Sequence, residues 1–197
     1  MSKYRVITIS REFGSGGRLI GVELAKRLGI TYYDKEIIGK VGEETGFSER
    51  IIEDLGEHAP VKSIWAYAMV GRSRDGFSVV DSIYSAQVQI IKKIAEEEPC
   101  VIVGRNADSI LEDREDVLNV FIQGELPEKL KRVEELTGKK DAEAKKLIKE
   151  TDKKRRVNYE YCTSRKWGVR ENYDVILNTS AIGYEACIDI LEHLYKG

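Results

Sequence analysis

The stretch VITISREFGSGGR at residues 6–18 says most about how this chain folds. It begins with β-branched residues that predict a strand and ends in a turn with three glycines in four positions, directly before a helical pattern. Such a turn lets backbone N–H groups approach an anion without obstruction by a Cβ. The N-terminus of the following helix adds partial positive charge. Strand, glycine-rich turn and helix in this order predict a phosphate-binding loop.

The turn departs from the phosphate-loop pattern G-x-x-x-x-G-K-[ST] at three positions. With Gly16 on the second motif glycine, Arg11 takes the position of the first. Gly17 and Arg18 then take the positions of the lysine and of the Ser/Thr. Arg18 is the nearest cation, and we expect it to supply the charge of the missing lysine.

The Ser/Thr hydroxyl of the motif is also missing from its usual position, and we expect Ser10 or Ser15 to supply a hydroxyl instead. The alternative is that residues 10–18 form only a tight strand-to-helix turn. The position after the first strand, the density of glycine and the adjacent arginines favour phosphate binding over that alternative.

Strand and helix patterns alternate along the rest of the chain, which indicates an α/β fold. Further strands are predicted at residues 31–33, 100–103, 118–122 and 175–177. Helical patterns separate them, so we expect a five-stranded parallel sheet with helices on both faces, joined by right-handed crossovers. In such a sheet ligands bind at the carboxyl ends of the strands. One domain is expected to span residues 1–197.

Composition narrows the class of protein. The 197 residues are 42% hydrophobic and 34% charged, with a net charge of -2, which excludes a globally basic nucleic-acid binder. Residues 138–170 carry 12 Lys/Arg against 5 Asp/Glu, which suits a phosphate-rich small ligand or a solvated helix face.

No stretch approaches the roughly 20 apolar residues of a membrane span, and the N-terminus lacks signal character, so we expect a cytoplasmic protein without a membrane partner. The three cysteines are widely spaced and indicate neither a disulfide framework nor a metal site.

Taken in order, four segments resemble the cytidylate kinase-like family, a branch of the P-loop nucleoside monophosphate kinases. They are ISREFGSGGRLIGVELAKRLGI with YYDKEII (9–30 and 32–38), CVIVGRNADSIL (100–111), TDKKRRVNYEYCTSRKWG (151–168) and NYDVILNTSAIGYEACIDIL (172–191). The resemblance implies a P-loop NTPase-type three-layer fold, with a helical acceptor-binding insertion at about 35–98 and a lid at about 150–170. It also implies phosphoryl transfer from ATP, with Mg²⁺, to a nucleoside monophosphate, CMP or dCMP being the first guess.

The resemblance further implies which residues meet the donor nucleotide. The donor phosphates would be cradled by the end of the first strand and the turn: Ser10, Arg11, Gly14, Ser15, Gly16, Gly17 and Arg18. The lid would add the cations Lys154 and Arg156, with Arg155 and Arg165 as further candidates. Asn178 and Thr179 would lie beside the adenine. Arg18, Lys154, Arg156 and Arg165 are the candidates for a catalytic role.

On the acceptor side, Arg105 and Asn106 fall on the Gly-Arg-Asp segment that contacts the acceptor in cytidylate kinases. Asp34, at the end of the second strand, is expected either to hold Mg²⁺ through water or to receive the ribose or hydroxyl of the acceptor, or else to cap the following helix. Lys35 could meet the acceptor phosphate or be solvated. No residue is assigned as a direct metal ligand, and the oligomeric state stays open.

Departures from the family pattern leave two alternatives. Asn106 replaces an acidic residue, and only Gln87 and Gln89 stand on the helix where cytidine-specific members place an arginine. These differences favour a P-loop kinase for another small-molecule acceptor. The missing lysine at Gly17 favours a nucleotide-binding regulatory protein that no longer transfers phosphate.

Overall fold

In the computed structural model, which describes residues 3–55 and 79–197, five parallel strands form a sheet in the order β2-β3-β1-β4-β5. The strands are β1 (Val6–Arg11), β2 (Thr31–Tyr33), β3 (Cys100–Val103), β4 (Val117–Gln123) and β5 (Val175–Asn178). The prediction of a five-stranded parallel sheet is therefore confirmed. Predicted and observed strand ends differ by at most two residues.

Helices connect the strands. They are α1 (Gly17–Leu28), α2 (Glu36–Thr45), α3 (Glu49–Leu55), α4 (Val79–Glu97), α5 (Ala107–Ile110), α6 (Leu126–Thr137), α7 (Asp141–Thr163) and α8 (Thr179–Lys196), with a 3₁₀ turn at Arg170–Asn172. None of these helices is both long and apolar enough to cross a bilayer, a finding that covers residues 3–55 and 79–197.

Helices cover both faces of the sheet. Ile7 and Ile9 of β1 pack with Ile20 and Leu24 of α1 and with residues of α8, whereas Val6 packs with residues of α2, α4 and α5 on the other face. A strand covered on both faces needs a continuous apolar run. Cys100–Val103 has such a run and is buried along its whole length. A smaller cluster joins α6 and α7.

The parallel register brings the functional segments to one edge. Arg11 is aligned with Ile122, and the N–H of Gly104 donates to the carbonyl of Ile9. The carboxyl ends of β1, β2 and β3 therefore meet, together with the turn that precedes α1.

The predicted insertion and lid correspond to particular helices. Helices α2, α3 and α4 belong to the predicted insertion, of which residues 56–78 lie outside the described part of the chain. The predicted lid, at about 150–170, falls on the second half of α7 and the segment after it. The domain boundary and the extent of both parts stay predictions.

Candidate active site

A cavity of about 720 Å³ lies at the carboxyl edge of the sheet. The glycine turn forms part of its wall, Asp34 follows β2, and Arg105 follows β3. Six of the described residues that line it are cationic: Arg11, Arg18, Lys35, Arg105, Arg132 and Arg155. The cavity therefore brings the predicted phosphate turn together with three of the four predicted acceptor residues, Asp34, Lys35 and Arg105.

Two glycines of the turn adopt a backbone conformation that side chains disfavour. Gly14 has φ +82° and Gly16 has φ +85°, and Gly16 is the N-cap residue of α1. A Cβ on Gly16 would overlap the ring of Tyr184 from α8. The turn is thus fixed by positive φ and by close packing from α8.

The Gly16→Ala variant is expected to be less stable than a variant that suffers backbone strain alone. Gly29, the C-cap residue of α1, has φ +67° with no atom within 4 Å of an added Cβ, so Gly29→Ala is the matched control. Left-handed backbone costs a side chain about 1–2 kcal/mol, and Gly16→Ala must also displace Tyr184. Urea unfolding of both variants measures the difference; equal losses would show that the contact with Tyr184 is unimportant.

Asp34 is the buried carboxylate of the acceptor side. Its side chain is 7% exposed, and its Oδ2 lies 3.0 Å from Nε of Arg18. Its Oδ1 lies 3.8 Å from a guanidinium nitrogen of Arg105, and the Tyr32 hydroxyl donates to Oδ2 at 3.4 Å. Burial raises the pKa of Tyr32 to about 12. Asp34 does not cap the next helix: α2 begins at Glu36, with Lys35 at the N-cap position and no side-chain cap.

The segment that carries Arg105 has an unusual backbone. Gly104, Arg105 and Asn106 have φ of +73°, +61° and +56° in succession. Non-glycine residues in this region cost about 1–3 kcal/mol each, so surrounding contacts must hold them. Gln87 donates to the Arg105 carbonyl at 2.7 Å, and Asn106 donates to the side chain of Asn158 at 3.3 Å. The fold thus stabilises a strained conformation that directs Arg105 into the cavity.

Gln87 therefore has a local structural role. In the sequence, Gln87 is notable only because cytidine-specific members of the family place an arginine on this helix. Its hydrogen bond to the Arg105 carbonyl is visible only in the structure. The predicted substrate residue Asn106 is 7% exposed and contacts the lid helix through Asn158.

The lid helix α7 contributes Arg155 to the cavity. Arg155 is 8% exposed, donates to the carbonyl of Arg11 at 3.0 Å, and places its guanidinium 5.8 Å from the ring centre of Phe13. Thr151, Asn158 and Tyr159 of the same helix are also buried. This face of α7 is docked on the turn in the structure.

The other lid cations lie elsewhere in this conformation. Arg156 is exposed, with its guanidinium 5.7 Å from the ring centre of Trp167. Arg165 pairs with Glu112, and Lys154 is half-buried on α7. A catalytic role for Lys154, Arg156 and Arg165 stays a prediction.

A charged cluster beside the turn was missed from the sequence. Lys129 of α6, with its side chain 8% exposed, has its Nζ 3.0 Å from Glu12 Oε2 and 3.2 Å from Asp152 Oδ2. Asp152 also accepts from the N–H of Phe13 at 2.6 Å. The cluster joins the turn to α6 and α7. A lysine in the first turns of a polar helix resembles any solvated lysine, so the sequence offers no signal for it.

The predicted hydroxyl donors have protein partners. The Ser15 hydroxyl donates to the Glu12 carbonyl at 2.9 Å, and the Ser10 hydroxyl donates to Asp108 at 3.4 Å. Asp108 also accepts from the Tyr159 hydroxyl at 2.7 Å, so this buried group, likewise missed from the sequence, links β1, α5 and α7.

Burial raises the pKa of Asp108 above the ordinary value of an aspartate. The folded protein therefore binds this proton more tightly than the unfolded chain, and its stability is expected to fall as pH rises from about 3.9 through the raised folded pKa. Asp108→Asn should remove that part of the pH dependence. Urea unfolding of both proteins from pH 4 to pH 8 measures it; identical slopes in the two proteins would contradict the expectation.

The two residues expected beside the adenine also bind other parts of the chain. Asn178 accepts from the N–H of Ser180 at 3.0 Å and so caps α8, and the Thr179 hydroxyl donates to the Ser15 carbonyl at 2.9 Å. Thr179 thus links the start of α8 to the glycine turn. Their contact with the donor base stays a prediction.

The donor set suits Mg²⁺ only together with phosphate oxygens. Within residues 3–55 and 79–197, no group of three or more His, Cys, Asp or Glu side chains could hold a metal ion. Mg²⁺ in such sites is commonly bound by one or two carboxylates plus substrate phosphates and water. Asp34, which contacts Arg18 at the turn, would be the carboxylate available through water.

The sheet order, the glycine turn between β1 and α1, and the cavity at the carboxyl edge define a kinase-like P-loop protein. The chain belongs to the cytidylate kinase-like family: the model of that family matches residues 6–181. No curated protein sequence matches it significantly.

Solved structures support the same fold. An uncharacterized protein from Eubacterium ventriosum ATCC 27560 is 29% identical with a TM-score of 0.72, covering 96% of this chain and 97% of that one. Shikimate kinase from Bacteroides thetaiotaomicron is 17% identical with a TM-score of 0.54, covering 98% of each chain. A gluconokinase from Sinorhizobium meliloti 1021 is 14% identical with a TM-score of 0.54, covering 100% of this chain and 96% of its own. The last two show similarity of fold alone.

Proposed function

We propose that the protein transfers a phosphoryl group from ATP to a small-molecule acceptor within the cavity of about 720 Å³. The observation that carries this proposal is the meeting of two features in one cavity: the glycine turn, and the Asp34–Arg105 pair that follows the neighbouring strands. Donor phosphates would bind at the turn and the acceptor at the pair.

The arginines that line the cavity suit this chemistry. Phosphoryl transfer requires mainly that donor and acceptor be aligned and that charge on the moving group be neutralised. Arginine binds two phosphate oxygens with its planar fork and keeps its proton. Arg155 is held by the Arg11 carbonyl and Arg105 by Asp34, so both guanidiniums are oriented before a ligand binds. Bound Mg²⁺ would neutralise further charge on the donor phosphates.

A nucleoside monophosphate is the acceptor that we propose first, and CMP or dCMP the first to test. Membership of the cytidylate kinase-like family supports this choice, as does Arg105 of the Gly104-Arg105-Asn106 segment, which lines the cavity. Arg105 would bind the acceptor phosphate, with Lys35 as a second cation at the cavity wall.

Asp34 supports a second candidate, a kinase whose acceptor is a hydroxyl group. A carboxylate in the cavity could accept the proton of an attacking hydroxyl. An attacking phosphate, in contrast, carries negative charge and would be repelled by Asp34 unless Arg18 and Arg105 offset it. The acceptor in this case would combine a hydroxyl with an anionic group.

The test is ADP formation from ATP and Mg²⁺ with a panel of ribo- and deoxyribonucleoside monophosphates and small hydroxy acids, beside a control without acceptor. Selective stimulation by CMP or dCMP is the expected result. Stimulation by a hydroxy acid alone would replace the first candidate by the second. ATP binding without stimulation by any compound would contradict both candidates and favour the regulatory protein.

A further inference from the structure

Two positions of the phosphate-loop pattern have exchanged their residue types in this chain. The usual pattern has glycine at its first position and lysine directly after its second glycine. Here Arg11 stands at the first position, and Gly17 stands where the lysine is usual. The loop has therefore lost a cation at one position and gained one six residues earlier.

The structure shows that these two positions exclude each other's side chains. A Cβ on Gly17 would lie 2.6 Å from Cβ and 3.1 Å from Cγ of Arg11, and 3.3 Å from Cβ of Ile122. Atoms this close to the backbone cannot swing aside as the end of a long side chain can. A lysine at position 17 is therefore incompatible with the arginine at position 11, and the two changes are sterically coupled.

The Arg11 side chain occupies the space beneath the first turn of α1. Because side chains alternate along a strand, Arg11 lies on the same face of β1 as Ile7 and Ile9, which pack against α1. The residue is 8% exposed and still lines the cavity beside Gly16 and Gly17.

Arg18, which the sequence favoured as the substitute cation, occupies a different environment. Its side chain is 61% exposed, and its Nε pairs with Asp34 at 3.0 Å. Arg18 is thus bound to the acceptor-side carboxylate, whereas Arg11 is buried under the glycines that would cradle phosphate.

We propose that Arg11 supplies from the end of β1 the cation that a phosphate loop ordinarily supplies from the first turn of its helix, and that it binds the β- and γ-phosphates of the donor nucleotide. This inference rests on the proposed function, because it assumes that a nucleoside triphosphate binds at the turn. It also explains why Gly17 is not a lysine. The space between positions 11 and 17 holds only one side chain, and in this protein that side chain is Arg11.

The first test is Arg11→Met, which removes the charge and keeps much of the length. Equilibrium titration with MgATP and with inorganic tripolyphosphate should show affinity lowered about 10- to 100-fold for both, the loss typical of a charge-assisted hydrogen bond. The control is Lys93→Met on α4, whose side chain is 74% exposed and which should bind both ligands as the wild type does. Arg11→Lys, which keeps the charge, should lie between Arg11→Met and the wild type.

The second test moves the cation from position 11 to position 17, where the phosphate-loop pattern has its lysine. Gly17→Lys alone should unfold at lower temperature because the new side chain collides with Arg11. The double variant Arg11→Gly/Gly17→Lys removes that collision and should bind tripolyphosphate more tightly than Arg11→Gly does. Such recovery would support the exchange even if Arg11→Met folds poorly.

The outcomes separate this inference from the proposed function. Wild-type protein that fails to bind MgATP would contradict the proposed function and with it the inference. Wild-type binding that is unchanged in Arg11→Met, or a double variant no better than Arg11→Gly, would overturn the role of Arg11 and leave the proposed function standing.

Discussion

The Asp34→Asn variant is expected to lose about 10²- to 10⁴-fold in kcat if the acceptor is a hydroxyl, the range typical of a missing general base. The amide introduced at this position would keep the shape of the side chain but could not take the proton. The KM for ATP should stay unchanged. Steady-state kinetics measures both quantities.

A nucleoside monophosphate acceptor predicts a different result for the same variant. Asp34 would then serve to hold Arg105, whose side chain is 4% exposed and would lose the Asp34 carboxylate as a partner. The loss should appear mainly as a raised KM for the acceptor, with a smaller change in kcat. Wild-type values of both kcat and KM would contradict both roles for Asp34.

The control for Asp34 is Asp116→Asn. Asp116 also pairs with an arginine, Arg114, at 2.7 Å, but it precedes β4 at the opposite edge of the sheet. The Asp116→Asn variant should therefore have the kcat and KM of the wild type. A thermal melt of both variants shows whether a loss of activity reflects chemistry or folding.

The Lys129→Met variant is expected to lose about 3 kcal/mol of stability, the lower end of the range for breaking a buried ion pair. Glu12 and Asp152, with side chains 28% and 15% exposed, would both lose their shared cation. For a protein of this size the corresponding drop in melting temperature is about 6–12 °C. Urea unfolding and a thermal melt measure the two quantities.

Lys131→Met is the matched control for Lys129. It removes the same kind of charge two residues further along α6, where the side chain is exposed, and should shift stability by less than about 0.5 kcal/mol. Asp152→Asn should fall between the two, since its Oδ1 can still accept from the N–H of Phe13. Equal stability of Lys129→Met and Lys131→Met would mean that the cluster does not stabilise the turn.

The fold and the place of the cavity follow from the amino-acid sequence alone. Alternation of apolar strands with helical patterns predicts a parallel sheet because such strands are buried on both faces. Once the sheet is parallel, the residues after each strand must meet at one edge, so Asp34 and Arg105 could be brought to the glycine turn by position alone. The family resemblance carried by four segments is confirmed over residues 6–181 and follows from the sequence as well.

Which charged side chains face the cavity depends on tertiary packing. Neighbours in the chain point in different directions on a helix, so Arg155 lines the cavity while Arg156 lies over Trp167. The same holds for the two arginines of the turn: Arg18 is closer to the missing lysine in sequence, yet Arg11 fills the space beneath Gly17. A contact between residues on two elements depends on packing, which spacing along the chain does not encode.

Buried charge was equally inaccessible to the sequence. Lys129 and Asp108 belong to residue types that are usually solvated, and each is buried here because the fold supplies a partner from a distant segment: Asp152 for Lys129 and Tyr159 for Asp108. A charged group leaves water only where such partners offset its desolvation. Those partners come together only once the chain has folded. For that reason the sequence predicts where the cavity lies, whereas the structure shows which charged groups surround it.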